Sequence, residues 1–333
     1  MGTEANRDTR SIRVGFWNTW LLRPRMWVDG PRLPGGDSLF APDVDDRAPL
    51  VAEAVRGRFD VIALSEVFER SEQWAVQASW PRATAVAGPV RRGIGRTGSG
   101  LLTLAAPGIE VVHTARIAYR SKGDPRDSDF FSSKGALLTR IRVHPDLPEL
   151  DVVSTHLLAG GDFFPLPGAD DVDRHHELRM RQVDELVAFL EEERRPSNPM
   201  LLVGDMNVPA FDPTAVEPTA QYDDLAVRLE RIGLVDLWAT QGVGSGHSCS
   251  FTTASDLPAD PDEPDRLLDD PDSGTDAPGE RIDYLWLAQP LDGKVSVEAA
   301  RPHRWSFPGR TPKGGPAGSL SDHLALSTVL TYR

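Results

Sequence analysis

With a single cysteine, Cys249, this chain of 333 residues can form no intramolecular disulfide and no cysteine-based zinc cluster. Cys249 itself reads as a small residue near a strand. No apolar run approaches the roughly 20 residues that a membrane-spanning helix needs. Positive charge is in short supply too. Against 50 Asp and Glu stand 36 Lys and Arg, a formal net charge of −14. That balance argues against a broad basic footprint for nucleic acid. The N-terminus, MGTEANRDTRSIRVGF, has no apolar signal-peptide core, and Asn6 stands where a myristoylation signal has Ser or Thr. The expectation is a cytoplasmic protein, or a secreted one if a leader has been removed.

What is present is a soluble, strand-rich pattern, 40% hydrophobic and 26% charged. Short β-like runs recur at 12–20, 60–68, 98–105, 134–143, 150–159, 200–207, 280–288 and 324–330. Helical periodicity appears at 175–195, where Leu178, Val183, Leu186, Val187 and Leu190 share a face, and at 47–58 and 221–233. Strands separated more often by loops than by crossover helices predict an α+β body of packed sheets with flanking helices. Residues 1–9 read as a polar tail and 10–331 as a single domain. Residues 160–174 read as a surface insertion, and so does the Pro-rich acidic run 256–279, with nine acidic residues. A calcium site in that run is the alternative, but its spacing does not match an EF-hand loop.

The strands end in residues that a buried strand does not need. Asn18 follows VGFW, Glu66 follows VIALS, and His156 follows VVST. Asp205 and Asn207 close LLVGDMN, Asp283 lies in RIDYLW, and Asp322 and His323 lie in SDHLAL. Two residues apart on an extended chain, Asp205 and Asn207 aim at one spot while Met206 turns away. In RIDYL, Asp283 shares a face with Arg281, with Ile282 and Tyr284 on the other side. Buried carboxylates are costly unless paired or metal-bound, so convergence on one cation, or two, is the economical explanation. Oxygen donors with an imidazole and no thiolate suit Mg²⁺ or Mn²⁺ better than Zn²⁺. A histidine held by an aspartate, as His323 by Asp283, can take a proton from water.

The order of these motifs (WN, LSE, TH, GDMN, RIDY, SDH) resembles the endonuclease/exonuclease/phosphatase superfamily with its DNase I-like fold. The resemblance covers residues 10 to 331 and implies a four-layer α/β sandwich of two mixed sheets between helices. It implies Glu66 as the main Mg²⁺ ligand, assisted by Asn18 and Asp322. Asp205 and Asn207 would position the phosphate and the attacking water, or hold a second metal. His323, oriented by Asp283, would be the general base, and His156 would stabilise the pentavalent phosphorus or help the leaving group.

Within that superfamily, SGLLTLA, FFSSKGALLTRI and STHLLAGG with RMRQVDEL resemble the neutral sphingomyelinase and phospholipase C-like branch. Lys134 of the KG pair would touch the phosphodiester or organise the site loop. Ser65 departs from the Gln usual in that branch, and RIDYLW lacks the Trp-Cys of the inositol-polyphosphate phosphatases. The implied partner is a phosphodiester substrate, a lipid head group ahead of nucleic acid, with peripheral membrane contact. A nuclease using the same site is the alternative enzyme, and a non-catalytic binding module the alternative of another class. In RPHRWSFPGR, Trp305 and Phe307 either touch lipid or base, or pack under a loop. The 256–279 insertion would gate the site.

Overall fold

The computed structural model describes residues 10–23, 31, 41–90, 97–123, 127–160, 172–212, 215–244, 246–249, 280–307 and 320–333. The polar tail, most of the 160–174 insertion and the whole acidic run 256–279 lie outside them, and so do the calcium and gating readings of that run.

The first half of the chain holds β1 (Ser11–Asn18), α1 (Val44–Val55), β2 (Val61–Ser65), α2 (Arg70–Ser79), β3 (Thr84–Ala87) and β4 (Leu102–Ala105). Then come β5 (Glu110–Ala118), β6 (Gly135–Arg142), β7 (Leu150–His156), α3 (Val172–Glu193) and β8 (Met200–Asp205). A small hairpin, β9 (Phe211–Asp212) with β10 (Ala215–Pro218), precedes α4 (Ala220–Glu230), β11 (Val235–Asp236) and α5 (Leu237–Gln241). The last strands are β12 (Asp283–Ala288), β13 (Val297–Ala299), β14 (His303–Trp305) and β15 (Ala325–Tyr332).

Two mixed sheets result. One runs β13-β15-β1-β2-β4-β3, with β14 also on β15; the other runs β11-β12-β8-β7-β6-β5. The pairs β1–β2 and β7–β8 are parallel, and the other pairs within these sheets are antiparallel. Alternation along the strands builds the layers. Ile12, Val14 and Phe16 of β1 and Val61 and Ala63 of β2 meet Val152, Leu201, Val203, Leu285 and Leu287 between the sheets. The opposite face of the first sheet packs Ile62 and Leu64 on Val51 and Val55 of α1 and Val76 of α2. The opposite face of the second packs Val153, Leu202 and Trp286 on Val183, Leu186 and Leu190 of α3 and Leu225 and Leu229 of α4. The fold is the expected four-layer α+β sandwich.

Of the two readings of the basic–aromatic stretch, the packed one holds. Trp305 and Phe307 are buried in the outer core of the first sheet, so they do not face lipid or base. Trp305 sits edge-on to Phe59 at 5.6 Å and donates its indole N–H to Ser327 Oγ at 2.7 Å, while Phe307 packs on Trp17 at 4.9 Å. Truncating a ring buried this well leaves a cavity. Trp305→Ala is expected to cost about 3–5 kcal/mol of stability, read from chemical denaturation.

Candidate active site

The alternation that fills the sandwich also gathers the polar strand ends. Beyond Ile12, Val14 and Phe16 the next residue on the same face of β1 is Asn18, and beyond Leu201 and Val203 on β8 it is Asp205. Asp283 starts β12 in direct register with Asp205, and His156 ends β7 beside it. All four are buried at one end of the sandwich.

Asn18 joins the sheets. Its Nδ2 donates to Asp205 Oδ2 at 2.8 Å and to Glu66 Oε1 at 3.2 Å. Glu66 follows β2 with a left-handed φ of 62°, a strained conformation for a residue with a Cβ. Gly100 makes room for it. At φ +75°, a Cβ there would stand 3.1 Å from the Glu66 Cα and N, and its carbonyl accepts from Val67 N at 2.9 Å.

Asn207 departs from the extended-chain expectation. β8 stops at Asp205, and Asn207 has φ 50°. Its backbone N–H donates to Asp205 Oδ1 at 3.0 Å and its side chain donates to Leu157 O at 3.2 Å. Asn207 is therefore brought to Asp205 by a turn, while Met206 does point into the outer core. Arg281 is corrected as well. It pairs with Asp236 at 2.7 Å and stacks over Tyr222 and Tyr284, on the helix-covered face rather than beside Asp283.

The SDH segment is bound into β1. Ser321 Oγ donates to Asn18 O at 2.6 Å and accepts from His323 N at 3.1 Å, and Trp17 Nε1 donates to His323 O at 3.0 Å. His323 Nδ1 donates to Asp283 Oδ2 at 2.7 Å, which turns Nε2 toward Asp205 Oδ2 at 4.0 Å. Burial lowers the His323 pKa, but the Asp283 carboxylate beside it outweighs burial and holds it well above the usual imidazole range. His156 goes the other way. Burial, then the charges of Lys134 and His323, push its pKa well down and keep it neutral. Lys134 Nζ donates to His156 Nε2 at 2.7 Å and pairs with Asp129 at 3.3 Å. His156 Nε2 also lies 3.5 Å from Asp205 Oδ2. The structure thus brings Asn18, Glu66, Lys134, His156, Asp205, Asn207, Asp283, Asp322 and His323 to one end of the sandwich.

The buried carboxylates are of the kind that could hold a cation. Burial, reinforced by Asp322, pushes Glu66 up to about 7, and burial with Asp283 behind it pushes Asp205 up to about 6. Burial raises Asp322 also. Glu66 Oε2 is buried and accepts no hydrogen bond. An acceptor left in that state is costly, and a cation beside oxygen donors removes the cost. Among the described residues, Asp205, Asp283 and His323 also form a potential metal-binding group, with one ligand atom from each within 4.8 Å of the others. Asp283 Oδ2 is already engaged by His323 and both Asp205 oxygens accept hydrogen bonds, so the buried carboxylate oxygens left unsatisfied in this group are Glu66 Oε2 and Asp283 Oδ1.

Sequence reasoning missed three neighbours. Ser248 Oγ accepts from Asp283 N at 3.1 Å and Ser248 O accepts from Leu324 N at 2.7 Å, tying β12 to β15. Cys249 bridges Glu280 and His323 and so borders the site. Asp129 steadies the Lys134 loop, since its carboxylate also accepts from Ala159 N at 2.6 Å. An acid five residues before the KG pair was its only signal.

A sandwich with buried carboxylates, an amide and an Asp-held histidine at one end defines the class of phosphoric diester hydrolases. The chain belongs to the endonuclease/exonuclease/phosphatase family, whose model matches residues 15–323. No curated protein matches it in sequence. Solved structures similar in fold include three of differing kinds. Sphingomyelinase C from Streptomyces griseocarneus is 18% identical with a TM-score of 0.57, covering 96% of this chain and 99% of that one. Beta toxin from Staphylococcus aureus, a variant with bound magnesium ions, is 15% identical at 0.58, covering 96% and 99%. D. rerio TDP2 complexed with a single-strand DNA product is 12% identical at 0.61, covering 96% and 99%.

Proposed function

We propose that the chain is a Mg²⁺-dependent phosphodiesterase of the sphingomyelinase and phospholipase C-like kind, with residues 10–331 acting as one catalytic domain. The observation that carries the metal-dependent reading is the Glu66 carboxylate, buried next to Asn18 with one oxygen unsatisfied. Glu66, Asn18, Asp205 and Asp322 would hold the ion. Once bound, it supplies Lewis-acid polarisation of a phosphoryl oxygen and charge compensation as phosphorus becomes five-coordinate.

With a cation bound nearby to offset Asp283, neutral His323 would take the proton of the attacking water at Nε2, because Nδ1 is committed to Asp283. Asp283 fixes the tautomer and stabilises the imidazolium. Asp205 and Asn207 orient the water and a phosphoryl oxygen. Lys134, whose Nζ donates to His156, offers positive charge to the developing equatorial oxygens. The motif likeness around Lys134 and the net charge of −14 favour a lipid head group. A second reading, a nuclease, is favoured by the likeness to the DNA-complexed TDP2 at a comparable TM-score. No described helix is long and apolar enough to cross a membrane, and the lipid reading needs only peripheral contact.

A paired assay separates the two readings. Phosphocholine release from sphingomyelin and nicking of supercoiled plasmid are followed with Mg²⁺ and with EDTA, with Asp205→Asn as the blank. Mg²⁺-dependent lipid turnover without nicking is the expected result. Nicking alone, with the steep salt dependence of phosphate contacts, transfers the site to the nuclease reading.

A further inference from the structure

The buried Arg47 takes no part in the chemistry above. It lies in the first turn of α1, fully buried, and has no carboxylate ion-pair partner among the described residues. Its guanidinium is spent on main-chain carbonyls. Nε donates to Pro42 O at 2.8 Å, Nη1 to Thr19 O at 3.1 Å and Leu320 O at 2.6 Å, and Nη2 to Trp20 O at 2.6 Å. The same group stacks on the Trp20 ring at 5.1 Å. Burial lowers its pKa to about 10, so it remains a cation at neutral pH.

Those carbonyls belong to different stretches of chain. Thr19 and Trp20 follow Asn18 directly, and Leu320 lies two residues before Asp322. Trp20 takes a left-handed φ of 48°, which bends the chain back toward the guanidinium. A cation stripped of water, with the Asp322, Asp43 and Glu66 charges acting on it only from beyond ion-pair distance, is expensive to keep. Its place is explained if the planar fork does what no other side chain can, satisfying several fixed carbonyls at once. We infer that Arg47 is the positioning residue of the cation site: it locks the exit of β1 to the approach of β15, and so sets Asn18 and Asp322 at the separation that a divalent ion requires. Lysine keeps the charge but has a single nitrogen, which cannot span acceptors this widely placed.

The inference rests on the reading of Glu66, Asn18 and Asp322 as ligands, and one experiment distinguishes the failure of either. Mn²⁺ binding is measured by calorimetry, with melting temperatures, for the intact chain, Glu66→Gln, Arg47→Lys and Arg140→Lys. Arg140 is the control. It is equally buried and forked, onto Asp151 at 2.6 and 3.0 Å, but about 16 Å along β7 from His156. Arg47→Lys is expected to raise the Mn²⁺ Kd at least about tenfold, the scale of an outer-shell ligand support. Arg140→Lys is expected to lower the melting temperature without moving that Kd. Should Arg47→Lys fail to fold, Arg47→Gln carries the same comparison. Unchanged affinity in the Arg47 variant that folds, or equal weakening by Arg140→Lys, overturns the inference while a loss of binding in Glu66→Gln leaves the ligand reading standing. Binding that survives Glu66→Gln overturns both.

Discussion

His323→Ala is expected to lower turnover at saturating Mg²⁺ by at least about a hundredfold, the scale of a lost general base. The geometry makes the effect specific. Nδ1 is held 2.7 Å from Asp283 Oδ2, the ring is buried, and Nε2 alone faces the acidic end of the sandwich. Asp283→Asn tests the same pair from the other side. An amide that donates to Nδ1 forces the opposite tautomer, and leaves Nε2 protonated and unable to accept. Its loss is expected to be similar in size and not additive with that of His323→Ala, because the two residues act as a unit. Steady-state kinetics of both single variants and the double variant decide the matter. Near-native turnover in His323→Ala removes the histidine from the mechanism.

Glu66→Gln is expected to abolish Mn²⁺ binding and to lower turnover by a similar or greater factor, while the metal-free chain becomes more stable above neutral pH. The sign follows from burial. An ordinary Glu in the unfolded chain titrates near 4.5, and folding raises Glu66 to about 7. The metal-free native state therefore holds a proton that the unfolded state gives up. The contribution of Glu66 to stability is fully present below about 4.5 and is lost as pH rises through about 7. Asp205, raised to about 6, adds to the same slope. Gln cannot ionise, so Glu66→Gln removes its share of that loss. In the intact chain a cation competes with those protons, so Mn²⁺ affinity is expected to climb between pH 5.5 and 7.5 with proton release on binding. Calorimetry in buffers of different ionisation enthalpy measures the released proton. A pH-independent Kd sinks the assignment.

Much of this was legible in the chain because one rule served fold and site together. The two-residue alternation that marks Leu201 and Val203 as interior also marks Asp205, and the same holds for Phe16 and Asn18. The layer count followed from the motif likeness, and the α+β body from strands separated more often by loops than by crossover helices; the strand order was not legible. Legibility ended where the backbone left the regular conformations. Asn207 reaches its place by a left-handed turn, so the extended-chain argument found the right residue for the wrong reason. Arg281 precedes the first residue of β12, so strand parity did not apply to it. Ser248 and Cys249 sit in a stretch without periodicity, and only tertiary pairing brings them to His323. Arg47 looked like one more charge on a helix, since carbonyl acceptors leave no trace in a sequence. Trp305 and Phe307 were ambiguous because aromatic residues beside arginines suit a packed strand as well as an interface.

The position of β15 has a bearing on the life of the protein before it is finished. This strand lies inside the first sheet, between β13 and β1, and His323 and Asp322 immediately precede it. One partner of β1, the strand β2, lies close to it in the chain, and the other, β15, lies far along it. Until residues 320–332 leave the ribosome and dock, Asn18 lacks the Ser321 hydroxyl and Asp283 lacks its histidine. Pairing of β1 with β15 and assembly of the Asn18 and Asp283 contacts are therefore one and the same event.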